Sequence, residues 1–337
     1  MKNWIHSETK SGDIVLFTKI ELLRNLKGQK FVKYISEEEA RNIAEKIYNK
    51  LSSKNEKLHF LKSWESSKNE LNYYKDKEIA SDKLIERRNK SAIIINEDET
   101  LSIILNEEEH IKIQGITAGF EIEETYKIVN AVDDLISKDF SYEFDKEYGY
   151  LTSNVKNLGT GLKISMVVHL PALKANNKIN DVKESLKDDK VSVEELYKDS
   201  NLYMVKNKVT LGMSEEQILE GFKEAIYYLI KEEKRNREEK RNRDNIILEK
   251  SIYLKDKVYR AYGILTYAKM IGEDESLKLL SDIRMGIEMS ILDINKALIN
   301  EAFIKSRNSS IQRDLKEILS KEELDYERAK IIDEIFS

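Results

Sequence analysis

The chain of 337 residues contains no cysteine. Disulfide frameworks, cysteine metal sites and cysteine nucleophiles are therefore excluded. It has only four histidines, His6, His59, His110 and His169, which argues against a histidine-built metal centre. It has one proline, Pro171, and 12 glycines, so a glycine cluster in this background carries information. No run of 18 uncharged apolar residues occurs, and no membrane span is expected. Residues Met1 to Glu8 lack an apolar core and carry an early acid, which does not fit a secretory signal. A cytoplasmic location is expected. Acidic residues (62) exceed basic ones (57), for a net charge of −5. That balance argues against general nucleic-acid binding. What is abundant is charge of both signs, 35 % of residues, beside 40 % hydrophobic, as in a folded, helix-rich chain. The length allows one large domain or two ordinary ones.

Along the chain, residues 13–26 open as a strand and drift toward helical spacing. Residues 37–51 have amphipathic helical spacing, with Ser36 as N-cap and acids in the first turn. Residues 57–90 are polar and irregular, and predict helix with exposed connections. Residues 91–95, 101–105 and 110–116 read as an antiparallel meander with a turn at Asn96-Glu97-Asp98. A helix is expected over 121–138, a strand and turn over 142–152, a strand over 162–170 and a polar helix over 174–187. Short strands are expected within 191–211. Ser214 and Gln217 form the frame of a capping box opening a long helix. Lys231 to Arg243 holds seven basic and four acidic residues, which reads as a solvated helix with i,i+4 ion pairs. Residues 251–272, 273–305 and 309–336 read as amphipathic helices. The architecture is therefore α+β over 1–240, followed by an all-helical domain over 241–337.

Two constellations carry chemistry. Asn106-Glu107-Glu108-Glu109-His110 places three carboxylates between two apolar strands. On extended backbone Glu107 and Glu109 face one way and Glu108 the other. Such a cluster suits a base or a clamp for a cation, or is simply an acidic hairpin tip. The second is the stretch from Thr152 to Gly161, ending in Asn157-Leu158-Gly159-Thr160-Gly161, a Gly-x-Gly turn entering a strand, which can offer backbone amides to an anion. It is not a Walker motif, because no Gly-Lys-Ser/Thr follows.

Taken in order, NEEEHIKIQ, GYLTSNVKNLGTGLKISMVVHLPAL and KNKVTLG resemble the guanidino (phosphagen) kinase family. DIVLFTKIELLRNLKG resembles its opening segment, and VYRAYGILTYAKMIGEDESLKLLSDIRMGIEMSIL resembles the helical domain of its bacterial protein-arginine kinase branch. The resemblance runs over roughly residues 10–335. It implies an antiparallel sheet flanked by helices, with transfer of the ATP γ-phosphoryl group to protein arginine. It also implies Mg-ATP as the donor, a protein partner or substrate, and a homodimer held by the helical domain. Because arginine is always protonated, a carboxylate must orient the guanidinium and take a proton. The family's base matches Glu107, with Glu108 beside it. Nucleotide-site positions match Thr18, Lys19, Glu21, Lys112, Lys163 and Ser165 and, in a looser match, Glu78.

The departures from the family pattern point further. The S-S-R-I-R clamp is Phe17-Thr18-Lys19-Ile20-Glu21, the arginine of H-x-R is Lys112, and the arginine after G-T-G-L is Lys163. The family's Cys-Pro pair is Asn154-Val155, and its glycine-rich loop has no counterpart between Asp188 and Val205. Losing three or four bidentate arginine–phosphate contacts removes roughly 5–10 kcal/mol, against about 8 kcal/mol held by a micromolar site. These changes predict a catalytically weak or inactive member. Such a protein acts by binding, in stress response and protein quality control, with an active protein-arginine kinase or its activator as partner. The alternative is a divergent but active kinase using Lys19, Lys112 and Lys163 as point charges. The helical domain's phosphoarginine motif, R-D-x-x-R-A, matches Leu324 to Ala329, keeping Asp325 and Arg328 but not the leading arginine. An ordinary amphipathic helix is the competing reading there.

Overall fold

The computed structural model describes residues 4–5, 13–54, 57–188, 190–198, 200–246 and 248–336. Most of the N-terminal stretch read for a signal lies outside them. The order begins β1 (Val15–Arg24), α1 (Glu37–Ser52), β2 (Leu58–Lys62), α2 (Lys68–Asp76), α3 (Asp82–Glu86), β3 (Ala92–Asn96), β4 (Leu101–Leu105), β5 (Ile111–Ala118) and α4 (Ile122–Ser137). It continues with β6 (Phe144–Asp145), β7 (Gly149–Tyr150), β8 (Leu162–His169), α5 (Pro171–Ala175), α6 (Ile179–Ser185), β9 (Val191–Glu195) and β10 (Leu202–Asn207). Helices α7 (Glu215–Ile246), α8 (Leu248–Tyr267), α9 (Glu273–Glu288), α10 (Lys296–Lys305), α11 (Asn308–Leu315) and α12 (Lys321–Phe336) complete it.

Eight strands form one sheet in the order β2-β3-β4-β5-β1-β8-β10-β9, and β6 pairs with β7 separately. The pairs β2–β3, β3–β4, β4–β5 and β5–β1 are antiparallel. The expected α+β class and the meander are therefore present. Strand β5 is buried along its whole length, including the polar side chains of Lys112, Gln114 and Thr117, which must therefore find partners within the protein. Gly115 lets α4 lie close on it, since a Cβ there would stand 2.8 Å from Val129 Cγ2.

The chain forms two compact units. The first comprises Phe17–Ser165 and Lys206–Lys223; the second comprises Trp4–Leu16, Met166–Val205 and Glu224–Ser337. In the first, α4 buries Ile122, Thr125, Val129, Asp133 and Ile136. Asp133 thus sits on a helix face whose spacing calls for an apolar residue. It is compensated by Arg24, 1 % exposed, whose Nε and Nη2 donate to Asp133 Oδ2 at 3.0 and 2.7 Å. The same guanidinium donates to the Leu23 and Thr160 carbonyls and lies 3.7 Å from the centroid of the Tyr150 ring. One side chain thereby joins β1, α4 and the segment before β8.

In the second unit α9 is buried nearly all round. Gly286 admits α8, where a Cβ would meet Val258 Cγ1 at 2.3 Å. Leu254, Val258 and Met285 form the core there.

Several local expectations differ from the structure. Residues 15–24 stay extended throughout, and 58–62 add a strand to the sheet edge. The single helices expected over 273–305 and 309–336 are each broken, at Ser290 (φ 58°) and Lys316 (φ 57°). Asn295 and Ser320 then cap new helices by accepting from the Ala297 and Glu323 amides. Asn177 (φ 57°) likewise splits the helix expected over 174–187. The expected N-cap at Ser36 and capping box at Ser214–Gln217 are present, and Glu39 completes a capping box at Ser36 as well. The solvated reading of Lys231 to Arg243 holds on one face only, where Lys231, Lys234, Arg235 and Glu238 are exposed, and Arg237 makes the expected i,i+4 pair with Glu233. Glu232, Glu233 and Asn236 are buried, because that part of α7 turns into the second unit's interior. Side chains from 239 to 243 lie outside the described residues.

Removing Arg24 leaves Asp133 buried and uncompensated. Arg24→Ala is expected to cost about 3–5 kcal/mol, read as a lowered urea midpoint. The double variant Arg24→Ala/Asp133→Ala should recover part of that loss, since no lone buried charge remains.

Candidate active site

The acidic motif is the connection between β4 and β5. Asn106 is held at φ 55°, its amide donates to the His110 carbonyl at 3.0 Å, and its side chain donates to the Ala40 carbonyl at 2.8 Å. The backbone is not extended there, so the alternation argument does not apply. Each carboxylate has its own partners. Glu107 accepts from Lys112 Nζ at 2.6 Å and from Ser81 Oγ at 2.5 Å. Glu108 accepts from Lys83 at 2.5 Å. Glu109, 2 % exposed, accepts from Asn25 Nδ2 at 2.5 Å and from the Ser153 amide at 2.8 Å. Asn25 also accepts from the His110 amide at 3.0 Å. Glu109 and Asn25 therefore bolt the acidic turn in place, and Glu107 faces the charged cluster.

That cluster gathers most of the candidate positions. Lys19 Nζ donates to Glu78 Oε2 at 2.7 Å. Lys112 Nζ is 3.7 Å from Glu21 Oε1 as well as 2.6 Å from Glu107. Burial alone would raise the Glu21 carboxyl, yet Lys112, Lys19, Lys163 and Lys206 together hold it near 2. Burial would lower the Lys19 ammonium, and Glu78 and Glu21 outweigh it, so its pKa is raised. The paired side chains are between 7 and 24 % exposed. Glu78 reaches Lys19 from a backbone at φ 63°, where it closes the turn after α2, and its carbonyl accepts from Gln114 at 2.9 Å.

Other candidates stand apart. The Thr18 hydroxyl donates to the Gly119 carbonyl at 2.7 Å and accepts from the Glu121 amide at 3.0 Å, which ties β1 to the start of α4. Ser165 is buried in β8. Asp325 and Arg328 lie in the second unit. Arg328 is 1 % exposed and donates to the carbonyls of Ser306 (2.7 Å) and Ile271 (2.6 Å), to Asp325 (2.6 Å) and to Asn308. These bonds engage it as a clamp between α12 and the segments before α9 and α11.

The glycine turn is shaped by close backbone approach. A Cβ on Gly159 (φ +101°) would lie 2.2 Å from the Thr210 carbonyl oxygen, and one on Gly161 (φ +64°) would lie 2.6 Å from that of Leu23. The Thr160 amide donates to Thr210 and not to an external anion. Ser81, Asn25, Lys83 and Lys206 were not anticipated. Ser81 lies in the aperiodic stretch 57–90, where its only legible role is as N-cap of α3, which it also fulfils. Among the described residues, no three His, Cys, Asp or Glu side chains are grouped to hold a metal ion. No described helix is long and apolar enough to cross a membrane.

Residues 39–236 match the family described as ATP:guanido phosphotransferase, C-terminal catalytic domain. Residues 251–337 match the protein-arginine kinase McsB C-terminal domain. The chain is 40 % identical over 339 residues to a protein-arginine kinase of Clostridium botulinum, covering 98 % of each chain. It is 39 % identical over 338 residues to that of Clostridium tetani, again covering 98 % of each. Among solved structures, lombricine kinase superposes with a TM-score of 0.57 at 19 % identity, over 69 % of this chain and 71 % of the other. The duplicated taurocyamine kinase of Schistosoma mansoni with transition-state analogue components gives 0.59 at 20 % identity, over 69 % of this chain and 35 % of that one. These last two share the fold. The chain belongs to the ATP:guanido phosphotransferase family. Its full-length relatives put it in that family's protein-arginine kinase branch.

His110, behind the acidic turn, has a consequence for stability. It is fully buried, its Nδ1 accepts from the Leu26 amide at 3.3 Å, and its Nε2 has no hydrogen-bond partner. Burial pushes its pKa down to about 4. The unfolded side chain takes up a proton near pH 6.5, the folded one only near 4. Its contribution is therefore complete above about pH 6.5 and is lost as pH falls toward 4, by up to about 3 kcal/mol. Urea titrations between pH 7 and 4 should show a steeper decline for the wild type than for His110→Gln. Equal slopes would mean that His110 protonates freely in the folded state.

Proposed function

We propose that this protein is a protein-arginine-kinase-like protein whose phosphoryl-transfer site is weak or silent, and that it acts by binding other proteins in stress response and protein quality control. The observation that carries this reading is the pairing of the site's charges with one another. Lys19 is engaged by Glu78, and Lys112 by Glu107 and Glu21. A triphosphate entering here meets two carboxylates, Glu21 and Glu78, and must take the lysines from them. Each charge-assisted hydrogen bond contributes about 1.5–3 kcal/mol. Breaking two such pairs consumes a large share of what a micromolar nucleotide site holds.

The acceptor side is filled as well. In the family reaction the guanidinium Nη attacks the γ-phosphorus of ATP, the bond from that phosphorus to the bridging β,γ oxygen breaks, ADP leaves, and a carboxylate takes the proton. Glu107 is the candidate for that carboxylate. Here the ammonium of Lys112 occupies it at 2.6 Å, in the role a substrate guanidinium would have. The partners consistent with this reading are a protein bearing arginine, an active protein-arginine kinase or its activator, and a second copy of this chain. The site lies in a protein read as cytoplasmic.

A second reading, a divergent but active protein-arginine kinase with Mg-ATP as donor, draws support from Glu107 itself. That carboxylate is retained and is held by Ser81 and Lys112, while Lys19, Lys112, Lys163 and Lys206 gather around the neighbouring Glu21. Lysines can neutralise phosphate as point charges, though without the bidentate fork of arginine.

Calorimetric titration with Mg-ATP at low salt separates the two readings. No heat up to millimolar nucleotide, and no phosphoarginine formed, is the expected result. A micromolar isotherm that weakens with salt, with arginine phosphorylation lost in Glu107→Gln, would establish the active reading instead. The combined variant Lys19→Arg/Glu21→Arg/Glu78→His/Lys112→Arg should gain nucleotide binding if the self-paired charges are what exclude it.

A further inference from the structure

The second unit contains a charged cluster that the phosphoryl-transfer reading does not use. His169, the last residue of β8, is fully buried. Its Nδ1 lies 3.2 Å from Glu288 Oε2 and its Nε2 lies 3.1 Å from Ser281 Oγ. The order Ser281, His169, Glu288 is that of a nucleophile, base and orienting acid, but a nucleophile must be reachable. Here Ser281 and His169 are 0 % exposed, and the Ser281 hydroxyl already accepts from Asn201 at 3.0 Å. The arrangement is structural.

Its reach along the chain is what matters. Glu288, with a fully enclosed side chain, also pairs with Arg284 (3.1 Å) and Arg237 (3.0 Å). Arg237 pairs with Glu233 at 2.7 Å, and Glu233 accepts from the amides of Ala172 and Leu173 at 3.1 and 2.9 Å. Arg284 continues to Asn300, and Asn300 to the Trp4 carbonyl. A single enclosed carboxylate thus connects, directly or through at most two neighbours, the end of β8, the start of α5, α7, α9 and α10. The segments matched by the two family descriptions end at 236 and begin at 251, and this network crosses that gap.

We propose that Glu288 is a latch that makes the helices from α9 onward and the segment 166–205 one cooperative unit, so that a change imposed on the helices is transmitted to the end of β8. The two cannot separate without exposing an enclosed carboxylate and two arginines whose compensation depends on each other. Cooperative units of this kind open together in native-state hydrogen exchange.

The test is hydrogen exchange on the full chain under native conditions, comparing wild type with Glu288→Gln. Amides in 166–173 and in 280–288 should both exchange faster by the same factor, about tenfold or more, while those of β5 in the first unit keep their rate. Acceleration confined to 280–288, or absent from both segments, overturns the proposal. Equal acceleration in β5 overturns it too, since the whole chain would then be opening. Should Glu288→Gln not fold, Ser281→Ala removes only the hydroxyl shared by His169 and Asn201. It should loosen both segments by a smaller, equal factor, and loosening of one alone overturns the proposal.

Discussion

The ammonium of Lys112 rests between Glu107 and Glu21, and the character of the site follows from it. Lys112 lies on β5, a strand buried along its length, so its charge has to be answered by side chains and not by water. Glu107 supplies the nearer acid from the turn that precedes the strand. Glu21 supplies the other from β1, where Glu21 stands directly opposite Gln114 in the register. Lys19 and Glu78 repeat the solution one step along β1. Lysines and glutamates that stand far apart in the sequence become complementary once the sheet is folded.

That complementarity was only half legible beforehand. The acidic turn, the meander, the helix caps at Ser36 and Ser214 and the family resemblance could be read from local spacing, because hairpins and caps are short-range features. Lys19, Glu21, Lys112 and Lys163 could be named beforehand as the positions where the resemblance implies a clamp, and three of them meet in one cluster. That Glu78 would bond to Lys19, 59 residues away, depends on where the turn after α2 meets β1, and no local pattern encodes it. Ser81 and Asn25 escaped notice for the same reason: each is an ordinary polar residue until its partner arrives from another element. The helix breaks at Ser290 and Lys316 were hidden because apolar spacing continues across them. Left-handed residues other than glycine leave little trace in composition.

The buried charges of the two units do different work. Around Arg24 and Asp133 a guanidinium replaces an apolar contact on a helix face and draws three segments together. Around Glu288 a carboxylate is surrounded by two arginines and a histidine in the interior of the second unit. Neither arrangement is reachable by substrate, and both require every partner to be present. The mixed-charge run in α7 belongs with the second, and reading it as a solvated face missed the amides of α5 that Glu233 caps.

Glu78 gives the site an asymmetry in how it can change. Its backbone is left-handed, a conformation that costs a non-glycine side chain on the order of 1 kcal/mol. Substitution to glycine would relieve that strain while giving up the bond to Lys19, so the two effects partly cancel. The pairing of Glu78 with Lys19 is therefore one inexpensive substitution from being undone, whereas forming it requires a carboxylate to sit where the backbone disfavours it.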